Sequence, residues 1–125
     1  MNEFAKKAKN YFIIAMMAEK MKMYSESISN YFKSLSAIND FALEKINLKA
    51  KDHSKRFRLL EQNFPELYAI ADKMFIVYRR TYTNKLNKKE VEILRQNVKK
   101  AFENAGVQIP SIEEIEDKTK KISEK

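Results

Sequence analysis

The sequence predicts an all-α fold: an antiparallel up-and-down bundle of four main helices with a short C-terminal helix. Two observations lead there. Among 125 residues there is one glycine and there are two prolines, the residue types that interrupt helices, and all three fall where a helix should begin or end. Between them apolar residues recur every three or four positions, the period of a single buried helical stripe.

The first helix spans Glu3 to Met23. Its inner face carries Phe4, Ala8, Tyr11, Phe12, Ala15, Ala18 and Met21 to Met23, and Lys6, Lys7, Lys9, Glu19, Lys20 and Lys22 fill the other. The second opens at Ser25, whose hydroxyl can accept from an unpaired first-turn N–H. Its stripe is Ile28, Phe32, Leu35, Ile38, Ala42 and Ile46, with Tyr31 and Phe41 at the margins. So short a break between the two predicts an antiparallel hairpin. Asp52 caps a third segment, His53 to Asn63, burying Phe57, Leu60 and Phe64. Pro65 loses nothing in a first turn, where its N–H would be unpaired, and starts a run from Glu66 to Leu86. Leu67, Ile70, Met74, Val77 and Tyr78 face inward there, after a kink or short break at 63–65.

Asn87 to Glu90 has the spacing of a capping box and opens the fourth main helix, with Val91, Leu94, Val98 and Phe102 inward. Gly106 closes it, because glycine can take the left-handed conformation of a helix end. Ser111 to Glu114 repeats the capping spacing before Ile112, Ile115 and Ile122. That tail helix is short and strongly charged, and without docking it would be marginal. The chain thus divides into a bundle over residues 1–106 and a charged helix or tail over 107–125.

Composition narrows the function classes. Apolar residues make up 44% and charged residues 34% of the chain, which is globular rather than disordered. Without cysteine there is neither a disulfide nor a thiolate metal site. The lone histidine, His53, lacks the partners a metal site needs, so no metal or cofactor is expected. The longest apolar run, Tyr11 to Ala18, is too short to span a bilayer, and Met1-Asn2-Glu3-Phe4 carries no apolar leader. No membrane partner is expected, and the cytoplasm is the expected location.

The net charge is +8 and unevenly spread. Residues 1–60 carry 12 Lys and Arg against 6 Asp and Glu, residues 61–110 carry 9 against 6, and residues 111–125 carry 4 against 5. A basic body attracts polyanions or an acidic partner. Two basic clusters stand out. One gathers Lys20, Lys22, Tyr24, Tyr78, Arg79, Arg80, Tyr82, Lys85, Lys88 and Lys89 at the end of the bundle holding the first turn. The other is the run Lys49, Lys51, His53, Lys55, Arg56 and Arg58 at the opposite end. At ~1.5 Å per helical residue, Lys55 and Arg80 would lie up to about 37 Å apart, too far for one small ligand.

Tyr78-Arg79-Arg80-Thr81-Tyr82 is the most suggestive stretch of the first cluster. A guanidinium makes paired, charge-assisted bonds to phosphate, and a neighbouring tyrosine can stack on a base. The tyrosines can equally finish a core stripe. His53 sits in a first helical turn, whose dipole disfavours the protonated ring, and suits a polar or capping role. Glu90, Glu92, Glu113, Glu114 and Glu116 read as helix-start charges. Neither a nucleophile–histidine–acid set nor a glycine-rich phosphate loop exists, and no catalytic residue is assigned.

The order of helices through residue 105 resembles the HEPN superfamily of small prokaryotic helical bundles. The likeness rests on the hairpin of Tyr11–Ala18 and Ser27–Asp40, the His53 helix start after a lysine-rich link, and the Arg-Tyr cluster ending the third helix. The resemblance implies a homodimer. Many members are RNases, often toxins paired with a nucleotidyltransferase-type antitoxin, with a signature of Arg followed four to six residues later by His. Here Arg79 reaches Thr83, Asn84 and Lys85, Arg80 reaches Asn84, Lys85 and Leu86, and no histidine follows His53. Only the arginine carries over, which argues against cleavage of the family's type.

The tract Ala18 to Leu35, with Tyr24, Ser27-Ile28, Tyr31-Phe32 and Leu35, also resembles a tetratricopeptide helix pair. A solenoid needs about three such units, and no second copy is found. The expected function is therefore binding of RNA, a nucleotide or a nucleotidyltransferase-type partner through Arg79, Arg80 and their neighbours. The alternatives are a degenerate ribonuclease or toxin component, in which Tyr82 or a partner's residues act with Arg79 or Arg80, and a protein-interaction module.

Overall fold

A computed structural model describes residues 2–83 and 86–123, leaving out the side chains of Ile112, Lys118, Thr119, Ile122 and Ser123. All regular structure among the described residues is helical. In chain order these are α1 (Glu3–Lys20), α2 (Tyr24–Lys45), α3 (His53–Asn63), α4 (Pro65–Arg79), a 3-10 turn η1 (Arg80–Tyr82), α5 (Lys88–Ala105) and α6 (Ile112–Ser123). None of these helices is long and apolar enough to cross a membrane.

Local chemistry explains most of the helix ends. The Asn2 side chain accepts from the backbone N–H of Phe4 at 2.7 Å, Asp52 from Lys55 at 2.8 Å, Asn87 from Glu90 at 3.2 Å and Ser111 from Glu114 at 3.1 Å. Each satisfies a first-turn donor that has no partner inside its helix. Gly106 ends α5 at φ 76°, the left-handed region where an L side chain is strained.

Four expectations at helix ends need correction. The first helix stops at Lys20, and the chain reverses through Lys22, at φ 61°. Met21 and Met23 are consequently 68% and 42% exposed rather than part of the stripe. The second helix starts at Tyr24, one residue before Ser25, and no side chain caps it. Its last expected stripe residue, Ile46, lies past the helix end and is 43% exposed. The run expected to reach Leu86 leaves the α-helix at Arg79 and tightens into η1.

Helix α2 is the hub, packed against α1, α3, α4 and α5. Two buried serines tie it to α1: Ser27 Oγ donates to the Ala15 carbonyl at 2.8 Å and Ser34 Oγ to the Ala8 carbonyl at 2.7 Å. Rising numbers on α2 meet falling numbers on α1, so the pair is antiparallel. Small residues at Ala8 and Ala15, both fully buried, let the backbones approach closely enough for these bonds. Phe12 sits edge-on to Tyr31 at 5.4 Å and to Phe102 of α5 at 5.5 Å. Tyr31, expected at a margin, is fully buried. Its hydroxyl donates to Glu19 at 2.7 Å, and Glu19 also pairs with Arg95 of α5.

The segment from α3 to α4 is a fold-back rather than a kinked rod. Proline disfavours the helical region for the residue before it, and Phe64 takes φ −138° and ψ 75°. The chain therefore turns between Asn63 and Pro65. Phe57 of α3 meets both Tyr68 (6.4 Å, edge-on) and Phe75 (5.3 Å, edge-on) of α4. A continuous rod would separate positions 57 and 75 by about 27 Å. At the other end α6 docks on α1, with Ile115 buried.

Candidate functional site

The residues singled out around Arg79 gather where α4 gives way to η1 and α5 begins. Arg79 and Arg80 are exposed, as are Lys88 and Lys89. Arg79 lies over the Phe75 ring at 5.8 Å. Arg80 approaches Glu90 of α5 at 4.0 Å, and Lys88 approaches Glu92 at the same distance. Pairs this long and this exposed contribute little to stability and leave the cations accessible to other anions. Tyr82 is 74% exposed, and its hydroxyl bonds that of Tyr78 at 2.9 Å. Thr81 Oγ1 donates to the Tyr78 carbonyl at 2.7 Å, fastening the turn. Tyr24, grouped with these residues on sequence grounds, lies half-buried at the start of α2 against the core. Lys85 lies outside the described residues.

Tyr78 connects this patch to a second feature. Its ring stacks on Phe32 at 4.4 Å and 8°, and together they wall a cleft of about 250 Å³. Phe4, Lys7 and Tyr11 of α1, Lys33, Ser36 and Asp40 of α2, and His53 of α3 share the lining. The fold-back at Phe64 makes this possible, since it carries His53 to 6.3 Å from Phe75. The expected placing of His53 and Tyr78 at opposite ends is thereby corrected: both border the same cleft. A larger depression of about 420 Å³, lined by Glu44, Leu48 and Lys49 among others, shares Phe4 and Asp40 with it.

At the cleft, Asp40, Arg56 and His53 form a chain of hydrogen bonds. Arg56 Nε and Nη2 reach the two Asp40 oxygens at 2.8 and 3.1 Å, a bidentate pair. Arg56 Nη1 meets His53 Nδ1 at 2.8 Å. A guanidinium can only donate, so Nδ1 is the acceptor and the ring hydrogen sits on Nε2. Burial of the ring and then the Arg56 charge hold His53 below its ordinary pKa, with Asp40 and Asp52 pulling the other way. The imidazole is therefore neutral near pH 7. Tyr78 is held above the ordinary tyrosine range, first by its bond to Tyr82 and then by burial.

Comparison with protein-family models, curated proteins and solved structures finds no match for this chain. Among the described residues no cluster of histidine and carboxylate groups could hold a metal ion. Sequence reasoning found the arginine–tyrosine patch but missed the cleft. Its members come from four separate helices, and nothing in local spacing pairs Asp40 with Arg56. One signal was present: His53 and Arg56 are three apart on a helix, hence on one face.

Proposed function

We propose that this chain is a HEPN-type helical bundle that assembles as a homodimer and binds single-stranded RNA through Arg79, Arg80, Tyr82, Lys88 and Lys89. The observation carrying this reading is the pairing of exposed guanidinium groups with a ring that is 74% exposed at one end of the bundle. Phosphate would engage the arginines in paired bonds, and an unpaired base would stack on Tyr82. A duplex keeps its bases inside and offers such a ring nothing. With no histidine following Arg79 or Arg80 at the family's spacing, the proposed role is binding rather than cleavage of the family's type.

Pairwise contacts support the alternating up-and-down order of α1, α2, α4 and α5. Glu19 with Arg95, and Phe12 with Phe102, run α1 against α5. Asn104 with Glu66, and Arg80 with Glu90, run α4 against α5. Dimerisation is supported by the outer side of α1 and the residue that caps its end, where Ile14 and Met21 are 44% and 68% exposed. They stand seven residues apart and so on one face, with Met17 between them. Two-fold pairing is the commonest way to cover such a strip. Sedimentation at micromolar concentration should show a dimer, and Ile14→Glu with Met21→Glu should make it a monomer.

RNA binding is tested with a short single-stranded oligonucleotide at two salt concentrations. Arg79→Ala with Arg80→Ala should lose about tenfold more affinity than Lys55→Ala with Arg58→Ala, although both pairs remove the same charge. Equal losses would leave only non-specific electrostatics. Absence of binding by the unmutated protein at low salt would remove the reading.

A further inference from the structure

We infer that the cleft between α1, α2, α3 and α4 is a second, separate binding site, for a small aromatic anion: one ring carrying a phosphate or a carboxylate. The charge pattern sets the first half of that ligand. Lys7 and Lys33 line the cleft from two helices, and Lys33 Nζ already rests over the Tyr11 ring at 5.9 Å. The carboxylate that would oppose an anion, Asp40, has both oxygens bound to Arg56, so the pair is close to neutral. The excess at the cleft is therefore positive, about two charges from the lysines. His53 adds a neutral ring whose hydrogen, on Nε2, is a donor and repels no anion.

The walls set the second half. Phe4, Tyr11 and Tyr78 line the cleft, Tyr78 backed by the buried Phe32 ring it stacks on, and flat rings favour stacked or edge-on contact with another ring. Tyr78 is fixed by its stack on Phe32 and its bond to Tyr82, so the wall is formed before a ligand arrives. At about 250 Å³ the space is below the ~300–1,000 Å³ of drug-sized pockets and suits one ring and its charged group. An aliphatic chain would forgo the ring contacts, and a neutral ring would forgo the lysines. This site does not depend on the RNA reading, since none of the cations proposed to grip RNA lines it.

His53 is the only histidine, so its ring protons give one unambiguous pair of NMR signals inside the cleft. Titration of the whole protein with phenyl phosphate should shift those signals saturably. Lys7→Ala with Lys33→Ala should weaken that binding about tenfold or more, while Arg79→Ala with Arg80→Ala should leave it unchanged. Both lysines are exposed, and a thermal melt of the double variant verifies that it stays folded. Tyr11→Leu, which keeps the charge, should also weaken binding. Phenol and inorganic phosphate, the ring and the charge taken separately, should each bind more weakly than phenyl phosphate.

Equal binding of phenol would reduce the site to an apolar crevice, and equal binding of inorganic phosphate would remove the role of the rings. A signal that never saturates, or that ignores the lysine substitutions, would overturn the proposal. Loss of RNA binding in the arginine variant with an intact phenyl phosphate titration supports both readings. A protein that binds no RNA but still titrates keeps this proposal and removes the other.

Discussion

Two arginine–carboxylate pairs sit on opposite sides of α2, and their surroundings make them different devices. On the side of α1 and α5, Glu19 and Arg95 have side chains 12% and 20% exposed. On the side of α3, Asp40 and Arg56 are 17% and 15% exposed. The pairs are equally sheltered, so burial of charge does not separate them. The third member does. Glu19 accepts from Tyr31, which is fully buried beneath Phe12, and burial followed by the Glu19 contacts raises that phenol far above its ordinary pKa. Arg56 instead donates to His53, whose ring borders an open cleft. The same ion-pair chemistry seals a core on one side and holds a titratable ring at a surface on the other.

The largest expected difference between the two sides lies in packing. Phe12→Ala removes a ring that is 1% exposed and edge-on to two others, and should cost about 3–5 kcal/mol in urea unfolding. Phe75→Ala, at a half-buried ring of the α3–α4 side, should cost about half as much, because water can fill the space it leaves. A larger loss at Phe75 would reverse the assignment of closed and open sides.

Breaking the polar chains should give a smaller contrast. Glu19→Ala takes the carboxylate from Arg95 and leaves the buried Tyr31 hydroxyl only the Met16 sulfur, a weak acceptor, and should cost about 2–3 kcal/mol. Asp40→Ala leaves Arg56 its bond to His53 and a guanidinium that can turn toward water, and should cost about 1 kcal/mol. Equal losses would mean that the cleft side is as closed as the core.

The smallest effect is a pH dependence. His53 has a native pKa below its unfolded value of about 6.5. Between those two values the unfolded chain binds more protons, so its stability contribution is complete above about pH 6.5 and falls as pH drops through the native pKa. Protonation would also cost the Arg56–Nδ1 bond, which needs an unprotonated nitrogen. The melting temperature of the unmutated protein should therefore fall more steeply below about pH 6.5 than that of His53→Gln. Parallel curves would show that His53 is as free as in the unfolded chain.

Helix content and most helix ends were readable residue by residue. Asp52, Asn87, Ser111 and Gly106 act within three or four positions of their targets, and Pro65 acts on the residue before it. The misread ends have equally local reasons. Neither Met23 nor Tyr24 offers a capping side chain, so Ser25 was the plausible start, and Lys22 carries no mark of its positive φ. The arginine–tyrosine patch was readable because Arg79, Arg80 and Tyr82 are neighbours in sequence. The cleft was not, because a break at Phe64 allows either a kink or a reversal, and only the reversal brings His53 to Phe75.

The sequence alone determined an all-helical chain, its apolar stripes and the placing of its single glycine and two prolines, because helix periodicity and capping are interactions over at most a few residues. Tertiary structure decided which stripes meet. Asp40 and Arg56 are 16 positions apart and Glu19 and Arg95 are 76 apart, and no local rule pairs them. Their partners follow from the close approach of α1 to α2 over Ala8 and Ala15 and from the reversal at Phe64, which together set what lies across each helix face.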